Sequence, residues 1–489
     1  MEKVEHLFEK LKVQCENNQS WEELYQHLIL FQESQHESQY VKETREPFMR
    51  KVYDEFMSNN MIYYNKTSKI YFNYIDNNYL LLNEDNMLHH VLYFISNTKM
   101  NQQTIDLSLK NTIKQKIMRS IRDHSIYDTI PDTDTIQNVL QVCVPNIFDK
   151  KEYAKIFLLS IGNMMLKKPM KDRSIIFMRV QMKPFLNEVN KYICMYFCNH
   201  NVFNYFKFKY TQDHVNSSYE KWLIPSKPIC MDMFHLTEQF YVNLICVCIY
   251  YSNRYDTIEG YLNSVIEDTT NVEECVKYFQ VKNKEGVIQT FMDTFLIKKQ
   301  KESMEPNELL FLWKQYIQKE DLFVHVFTSY QDFLTSLYAY VGQTYDDVSN
   351  NRFNGYYSME IPTIELFRSF WDENFEYCED EFYFEISEIL HLFHQAHKQK
   401  KTNLSEPMIL LILQLYYDMY PINKGKVIHN VKCTIWDKKK EIDDFISKEN
   451  INLKQNNHTL YKKYSMYEKK LKINKKYFTM YVDKLRSDL

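Results

Sequence analysis

MIYYNKTSKIYFNYIDNNYLLLN, residues 61–83, is the stretch at which the chain changes period. Met61–Asn65, Lys69–Asp76 and Tyr79–Asn83 are runs of β-branched and aromatic residues, separated by Lys66-Thr67-Ser68 and by Asn77-Asn78. Short runs of this kind joined by polar turn residues predict a three-stranded antiparallel meander. Upstream, Val4, Leu7, Phe8 and Leu11, then Trp21, Leu24, Tyr25 and Leu28, recur at i, i+3, i+4 and i+7, which predicts a helical lead-in over 1–58.

Downstream of the meander helical patterns return at Gln103–Asp123, Thr135–Val144, Lys151–Leu166 and Pro184–Cys198, interrupted by extended pieces at Ser174–Val180 and Val202–Tyr210. A buried helix is expected over Thr237–Arg254. The charge run Lys298-Lys299-Gln300-Lys301-Glu302 before Glu305-Pro306 reads as a solvated seam. That seam divides a central α+β domain (59–300) from a helical C-terminal domain (301–449) and a basic terminal helix (450–489). In the third part helices are expected at Asn307–Lys319, Tyr330–Val341, Thr363–Phe375, Glu385–Lys398, Glu406–Tyr417 and Lys438–Ser447, with a strand over Lys426–Trp436. The fold class is multidomain α+β, mainly helical.

Composition excludes several function classes. Only 6 of the 489 residues are Gly, against 39 Tyr and 32 Phe. A phosphate-cradling loop needs two or three glycines within about eight residues, so that backbone amides reach the anion without Cβ atoms in the way. Gly162, Gly260, Gly286, Gly342, Gly355 and Gly425 form no such cluster, and Gly425-Lys426 is followed by Val427 rather than Ser or Thr. P-loop motors and dinucleotide enzymes of the usual kinds are therefore excluded, and no nucleophile-elbow motif is present. The excess of Lys, Asn, Ile, Tyr and Phe follows AT-rich codons, which discounts the 16% aromatic content as a nucleic-acid signal. Ten unpatterned cysteines, a charged N-terminus and no apolar run of membrane-spanning length predict an intracellular protein of a reducing compartment, with no membrane partner.

The tail is the most distinctive segment. Leu460, Tyr464, Tyr467, Leu471, Asn474, Phe478, Tyr481 and Leu485 alternate spacings of four and three, a heptad seam with one polar position. Lys462, Lys463, Lys469, Lys470, Lys472, Lys475 and Lys476 occupy the other faces, and residues 451–489 hold ten basic against three acidic side chains. Lysines next to phosphate release condensed counterions, and tyrosines can stack on bases. These seven lysines, with Tyr461, Tyr464 and Tyr477, are the candidate DNA or RNA contacts. The seam equally suits a protein partner, self-association, or docking on the body against the acids Asp372, Glu373, Glu376, Glu379, Asp380, Glu381, Glu385 and Glu388.

Other constellations have plainer readings. Asp132-Thr133-Asp134 has the spacing with which transferases bridge a metal to phosphates, but it precedes the apolar run Ile136, Val139, Leu140 and Cys143, so one acid reads as a helix N-cap. Cys194, Cys198 and His200 lack the fourth ligand a zinc ion needs and, like Cys246 and Cys248, read as core cysteines. His391, His394 and His397 recur every third residue and read as a polar helix face. No catalytic residue, metal site or cofactor is assigned.

Ile126-Tyr127-Asp128-Thr129-Ile130-Pro131, Thr135–Leu140, Glu152–Leu158, Phe206–Tyr210, Tyr250–Tyr255 and Phe370–Asn374 resemble segments of uncharacterised proteins encoded by giant nucleocytoplasmic large DNA viruses of the mimivirus-like kind. The helix, strand and helix order after Thr363 looks like the winged-helix end domain of the primase-helicases of these viruses. The resemblance implies a non-enzymatic accessory of viral replication or transcription, acting in the host cytoplasm or viral factory. The alternatives are a metal-dependent phosphoryl- or nucleotidyl-transfer enzyme using Asp132 and Asp134, and a virion or scaffold protein assembling through the terminal helix.

Overall fold

A computed structural model of the chain describes residues 13, 22–31, 33, 45–98, 107–166, 174–198, 200–228, 236–264, 270–345, 352–379, 383–398, 403–423, 425–449, 451–453, 455–467 and 472–487. The chain divides into two compact units, Met1–Val281 and Lys282–Leu489. Residues 22–31 are helical, and most of the lead-in expected over 1–58 lies outside the described residues. Helices dominate and the sheets are small, as a mainly helical α+β chain requires.

The first unit is organised around the meander. Helix α1 (Glu46–Asn59) leads into β1 (Met61–Asn65), β2 (Ile70–Ile75) and β3 (Asn78–Leu82), an antiparallel sheet in the order β1-β2-β3. Asp76 and Asn77, both with positive φ, make the two-residue turn that matches strand twist. Successive side chains of a strand point to opposite faces, and here both faces are covered. Ile62, Tyr64, Tyr71 and Leu82 face a cluster with Val52, Phe56, Met87, Val91, Ile113 and Ile117. These come from α1, α2 (Glu84–Asn97) and α3 (Leu107–Asp123). Tyr63, Phe72, Tyr74, Tyr79 and Leu81 face the larger cluster of the unit.

That larger cluster is built on α4 (Thr133–Cys143), α5 (Lys151–Met165) and α7 (Glu238–Tyr255), with α6 (Lys183–Tyr192) beside them. Thr237 caps α7 by accepting from Phe240 N at 3.3 Å, and its middle, Tyr241–Ile249, is buried throughout, which is why its sequence shows no polar stripe. α5 and α7 meet at Gly162, where the backbones touch. The edge strand β3 is tied to α7 by side chains. Asn243 Oδ1 accepts from Tyr79 N at 3.1 Å, Asn243 Nδ2 donates to Asn78 Oδ1 at 2.8 Å, and Gln239 Nε2 donates to Tyr79 O at 3.0 Å. At the opposite edge Tyr64 N donates to His124 O at 2.7 Å.

A second sheet sets β4 (Ser174–Phe177) between β5 (Phe206–Lys207) and β6 (Glu220–Leu223), both parallel to it. The helix expected over Pro184–Cys198 changes at Ile193 into a π-helical turn, Ile193–Phe197. Its free carbonyls are taken by side chains from the meander region. Asn65 Nδ2 donates to Tyr196 O and Phe197 O, Ser68 Oγ to Tyr196 O, and Tyr127 OH to Phe197 O. Cys194 on this turn is exposed and Cys198 half-buried, which corrects the core reading for the former, while Cys246 and Cys248 are buried. No disulfide joins the eight described cysteines. Among the described residues no helix is long and apolar enough to cross a membrane.

In the second unit α8 (Lys284–Phe295) precedes β7 (Ile297–Met304), so the lysine run read as a solvated seam is a strand, antiparallel to β8 (Phe353–Tyr357). It reads as loop because Ile297–Lys301 is exposed. Between these strands come α9 (Pro306–Lys319) and α10 (Tyr330–Tyr340). Trp313 stacks on Phe333 at 3.9 Å and meets His325 edge-on at 5.4 Å.

Burial holds the pKa of His325 below its usual value, and burial with the charges of Lys207 and Lys221 does the same for His214, whose Nδ1 accepts from Thr211 N at 2.9 Å. A depressed histidine contributes stability that is present above the unfolded value of about 6.5 and is lost as pH falls through the folded value. The midpoint of thermal unfolding is therefore expected to fall on acidification from about pH 7 to about pH 5. His325→Phe should flatten that dependence for the second unit, and identical midpoints at both pH values would contradict the assignment.

The rest of the unit runs α11 (Ile361–Asn374), β9 (Phe375–Tyr377), β10 (Phe384–Glu385), α12 (Ile386–Ala396), α13 (Glu406–Tyr416), β11 (Ile422–Asn423), β12 (Val427–Ile428) and β13 (Val431–Cys433). One sheet has the order β10-β12-β11 and a second pairs β13 with β9, so the single strand expected over Lys426–Trp436 is divided between two sheets. The second strand of the β11–β12 hairpin returns beside β10, so α12 and α13 lie in sequence between two paired strands. Three helices follow: α14 (Lys438–Lys448), α15 (Asn457–Tyr467) and α16 (Lys475–Ser487).

Candidate nucleic-acid interface

The heptad seam is shared between α15 and α16 rather than carried by one continuous helix. Asn474, the polar seam position, is the reason: its Oδ1 accepts from Tyr477 N at 2.8 Å and so caps a new helix. The same side chain donates to Glu385 Oε1 at 2.7 Å and accepts from Tyr383 OH at 2.9 Å, fixing the start of α16 on β10. Leu460, Tyr464, Phe478 and Tyr481 are buried with Ile442, Phe445 and Tyr383, so these four seam positions pack inside the unit, while Tyr467 is exposed and Leu471 lies outside the described residues.

This burial decides the fate of the three candidate tyrosines. Tyr464 and Tyr477 are fully buried, and the Tyr464 hydroxyl donates to Glu441 and accepts from Ile473 N at 3.1 Å. Neither offers a ring face to a base, which corrects the reading of both as stacking partners: Tyr464 is a seam position, and Tyr477, beside the seam, is buried with it. Tyr461 is half-buried, with its hydroxyl donating to Ile473 O at 3.1 Å and its pKa raised by burial.

The lysines behave differently. Lys462, Lys463, Lys472, Lys475 and Lys476 are all exposed, whereas Lys469 and Lys470 lie outside the described residues. Lys463 Nζ donates to Gln455 Oε1 at 3.1 Å, and Lys475 Nζ lies 3.1 Å from His458 Nδ1. Among the described residues none of the five pairs with a carboxylate, those of 372–388 included. Asp380 and Glu381 of that acidic stretch are outside the described residues. Of its other members, Glu388 pairs with Lys438, Glu376 with Lys432, and Asp372 accepts from Tyr417 OH. Lys475 and Lys476 also stand in the first turn of α16, which holds no acid. Cations there oppose the helix dipole by about 0.3–1 kcal/mol each, a cost that a bound anion removes.

Helix α13 adds no second basic surface. Its sequence EPMILLILQLY has no base, Ile409, Ile412 and Leu413 are buried, and the helix packs on α9. The turn at Gly425 comes so close to Leu410 that a Cβ there would stand 3.3 Å from Leu410 Cδ2.

The remaining candidates stay separate. Asp132 occupies the N-cap of α4 without a side-chain capping bond, and Asp134 in the first turn accepts from Asn77 Nδ2 at 3.4 Å. His391 and His394 are exposed, and His397 lies against Phe393. Among the described residues no group of three or more His, Cys, Asp or Glu is placed to hold a metal ion. Helix α3 is a basic surface outside the sequence candidates: it carries Lys110, Lys114, Lys116, Arg119 and Arg122 against a single acid, Asp123, a charge ratio legible in the sequence. No protein-family model, curated protein or solved structure matches the chain.

Proposed function

We propose that the chain is a non-enzymatic, nucleic-acid-associated protein that meets phosphate through α15, α16 and Lys472 just ahead of α16. The observation that carries this reading is the set of five exposed lysines without a carboxylate partner, two of them in an acid-free first turn. Because the aromatic seam is buried beneath them, the charges are displayed on a packed scaffold rather than a loose tail. Such a surface binds any nucleic acid by counterion release and reads little sequence. The resemblance of several segments to proteins of giant DNA viruses supports a role as an accessory of viral replication or transcription.

Fluorescence polarisation with single- and double-stranded DNA and RNA at two salt concentrations tests it. Five phosphate contacts correspond to a log–log salt slope of about −3.5 on single strands and about −4.5 on duplex. Replacing Lys462, Lys463, Lys472, Lys475 and Lys476 with Gln should weaken binding by about tenfold or more and bring that slope towards zero, with thermal unfolding unchanged. Substitution is the right variant, since deleting 450–489 would remove Leu460, Tyr464 and Phe478 from the core. No binding at low salt, or binding indifferent to the five substitutions, would sink the proposal.

A further inference from the structure

Helices α2 and α3 of the first unit run antiparallel. Arg122 near the end of α3 reaches Glu84 at the start of α2 (2.6 Å), and Lys110 near the start of α3 reaches Ser96 near the end of α2 (3.5 Å). Between them lies an open groove of about 510 Å³. Its α3 wall is formed by Lys114, Gln115, Met118, Arg119 and Arg122, which recur as one stripe of the helix, and Leu88 of α2 completes the floor with Met118.

The electrostatics are one-sided. Arg122 is held in place, its Nε donating to Tyr71 OH at 3.2 Å and its Nη2 to Glu84. Lys114 and Arg119 have no carboxylate partner among the described residues, and Asp123 is the one acid on the wall. Nothing in the packing of α3 calls for these bases, because its core contacts are made by Leu109, Ile113, Ile117, Met118 and Ile121. Cations flanking an apolar floor match a ligand that alternates charged and apolar parts. A nucleic-acid strand does so at every nucleotide, with phosphate beside sugar and base, whereas an inorganic anion has no use for Leu88 and Met118. The same helix α2 exposes Tyr93, stacked on His89 at 6.3 Å, an aromatic surface of the kind single strands use.

We propose that the α2–α3 groove is a second nucleic-acid contact, in which Lys114 and Arg119 take consecutive phosphates of a single strand, Arg122 fixes the groove wall, and Leu88 with Met118 supports sugar or base. This rests on the reading that the chain meets nucleic acid, and is independent of the tail lysines.

The test uses the full chain and labelled oligo-thymidylate, comparing Lys114→Gln/Arg119→Gln, Arg119→Gln alone, the five-glutamine tail variant and their combination. The double variant is expected to bind about fivefold or more weakly and to lose about 1.4 from the magnitude of the salt slope, with an unchanged melting curve. Arg119→Gln, at an exposed position, should show an intermediate loss. If the groove variants bind as the parent does while the tail variant weakens, the groove inference is overturned and the tail reading stands. If the groove variants weaken binding and the tail variant does not, the groove stands and the tail reading falls. No binding by the parent chain overturns both. Displacement of the strand by poly-glutamate as readily as by unlabelled oligo-thymidylate would overturn the nucleic-acid assignment of the groove in favour of an acidic peptide.

Discussion

Replacing Lys438 with Met should destabilise the second unit by about 3–5 kcal/mol, the cost of leaving a buried charge without its partner. Lys438 Nζ donates to Glu388 Oε2 at 2.6 Å and to Tyr383 O at 3.1 Å, and the two charged side chains are only 1% and 6% exposed. Four rings surround the ammonium: Phe384 at 3.9 Å, Tyr477 at 4.6 Å, Trp436 at 5.1 Å and Tyr383 at 5.8 Å. Burial pushes the Glu388 carboxyl up while the Lys438 charge pulls it down, and Glu388 also closes the capping box of α12 by accepting from Glu385 N. This one pair therefore joins the first residue of α14 to α12 and, through Tyr477, to α16. Glu388→Met should cost a similar amount, and Lys438→Met/Glu388→Met should recover most of it, because a buried pair replaced by apolar side chains of like volume is close to neutral. Urea unfolding of the three variants reads the result. Two single substitutions that each cost under about 1 kcal/mol would show that the pair does not hold these elements together.

Gly162→Ala is expected to destabilise the first unit by about 3 kcal/mol, at the upper end for an overpacked core. A Cβ on Gly162 would lie 2.0 Å from Cys248 O, 2.7 Å from Cys248 C and 2.7 Å from Ser252 Cβ. The nearest obstacles are main-chain atoms, so no side-chain change on α7 makes room, and the two helices must separate. Separation also stretches the bond that Ser252 Oγ donates to Asn163 Oδ1 at 2.5 Å across the same contact. In a unit of this size the loss corresponds to a drop of roughly 10 °C in the unfolding midpoint. A variant melting within about 2 °C of the parent would show that the helices are not in backbone contact. The glycine shortage acquires a structural meaning here: at Gly162 the absence of a side chain sets how closely the two central helices approach.

The meander is legible in residues 61–83 because turn residues punctuate three apolar runs, and the buried helix over 238–255 because eleven of its residues enter the core and leave no polar stripe. The seam of the tail is legible in part: Leu460, Tyr464, Phe478 and Tyr481 are buried, but so are Ile473, Tyr477 and Val482 off the seam, and Tyr467 on it is exposed. Its break is harder to see. No glycine or proline marks residues 468–474, and spacings of three and four describe one long helix as well as two short ones packed in a core. Asn474 was the available clue, since a lone Asn ahead of a new apolar run is a cap. The strand β7 is hidden by its charges, which is how an exposed strand differs from a buried one. The α2–α3 groove is invisible for a different reason: Leu88 and Met118 become neighbours only through the antiparallel pairing of two helices whose connection carries no pattern of its own.

The side-chain ties at the two borders of the meander have a consequence for how the chain behaves in concentrated solution. A sheet border with free amides and carbonyls recruits strands from other molecules, and a chain with 16% aromatic residues is especially exposed to that hazard. Here Asn243 and Gln239 engage Tyr79 N and O on one border, and His124 O takes the Tyr64 amide on the other. Templated growth on this sheet is thereby blocked by the chain itself. The two-stranded β7–β8 sheet is guarded by charge instead, with Lys298, Lys299 and Lys301 exposed along β7, where mutual repulsion keeps copies apart.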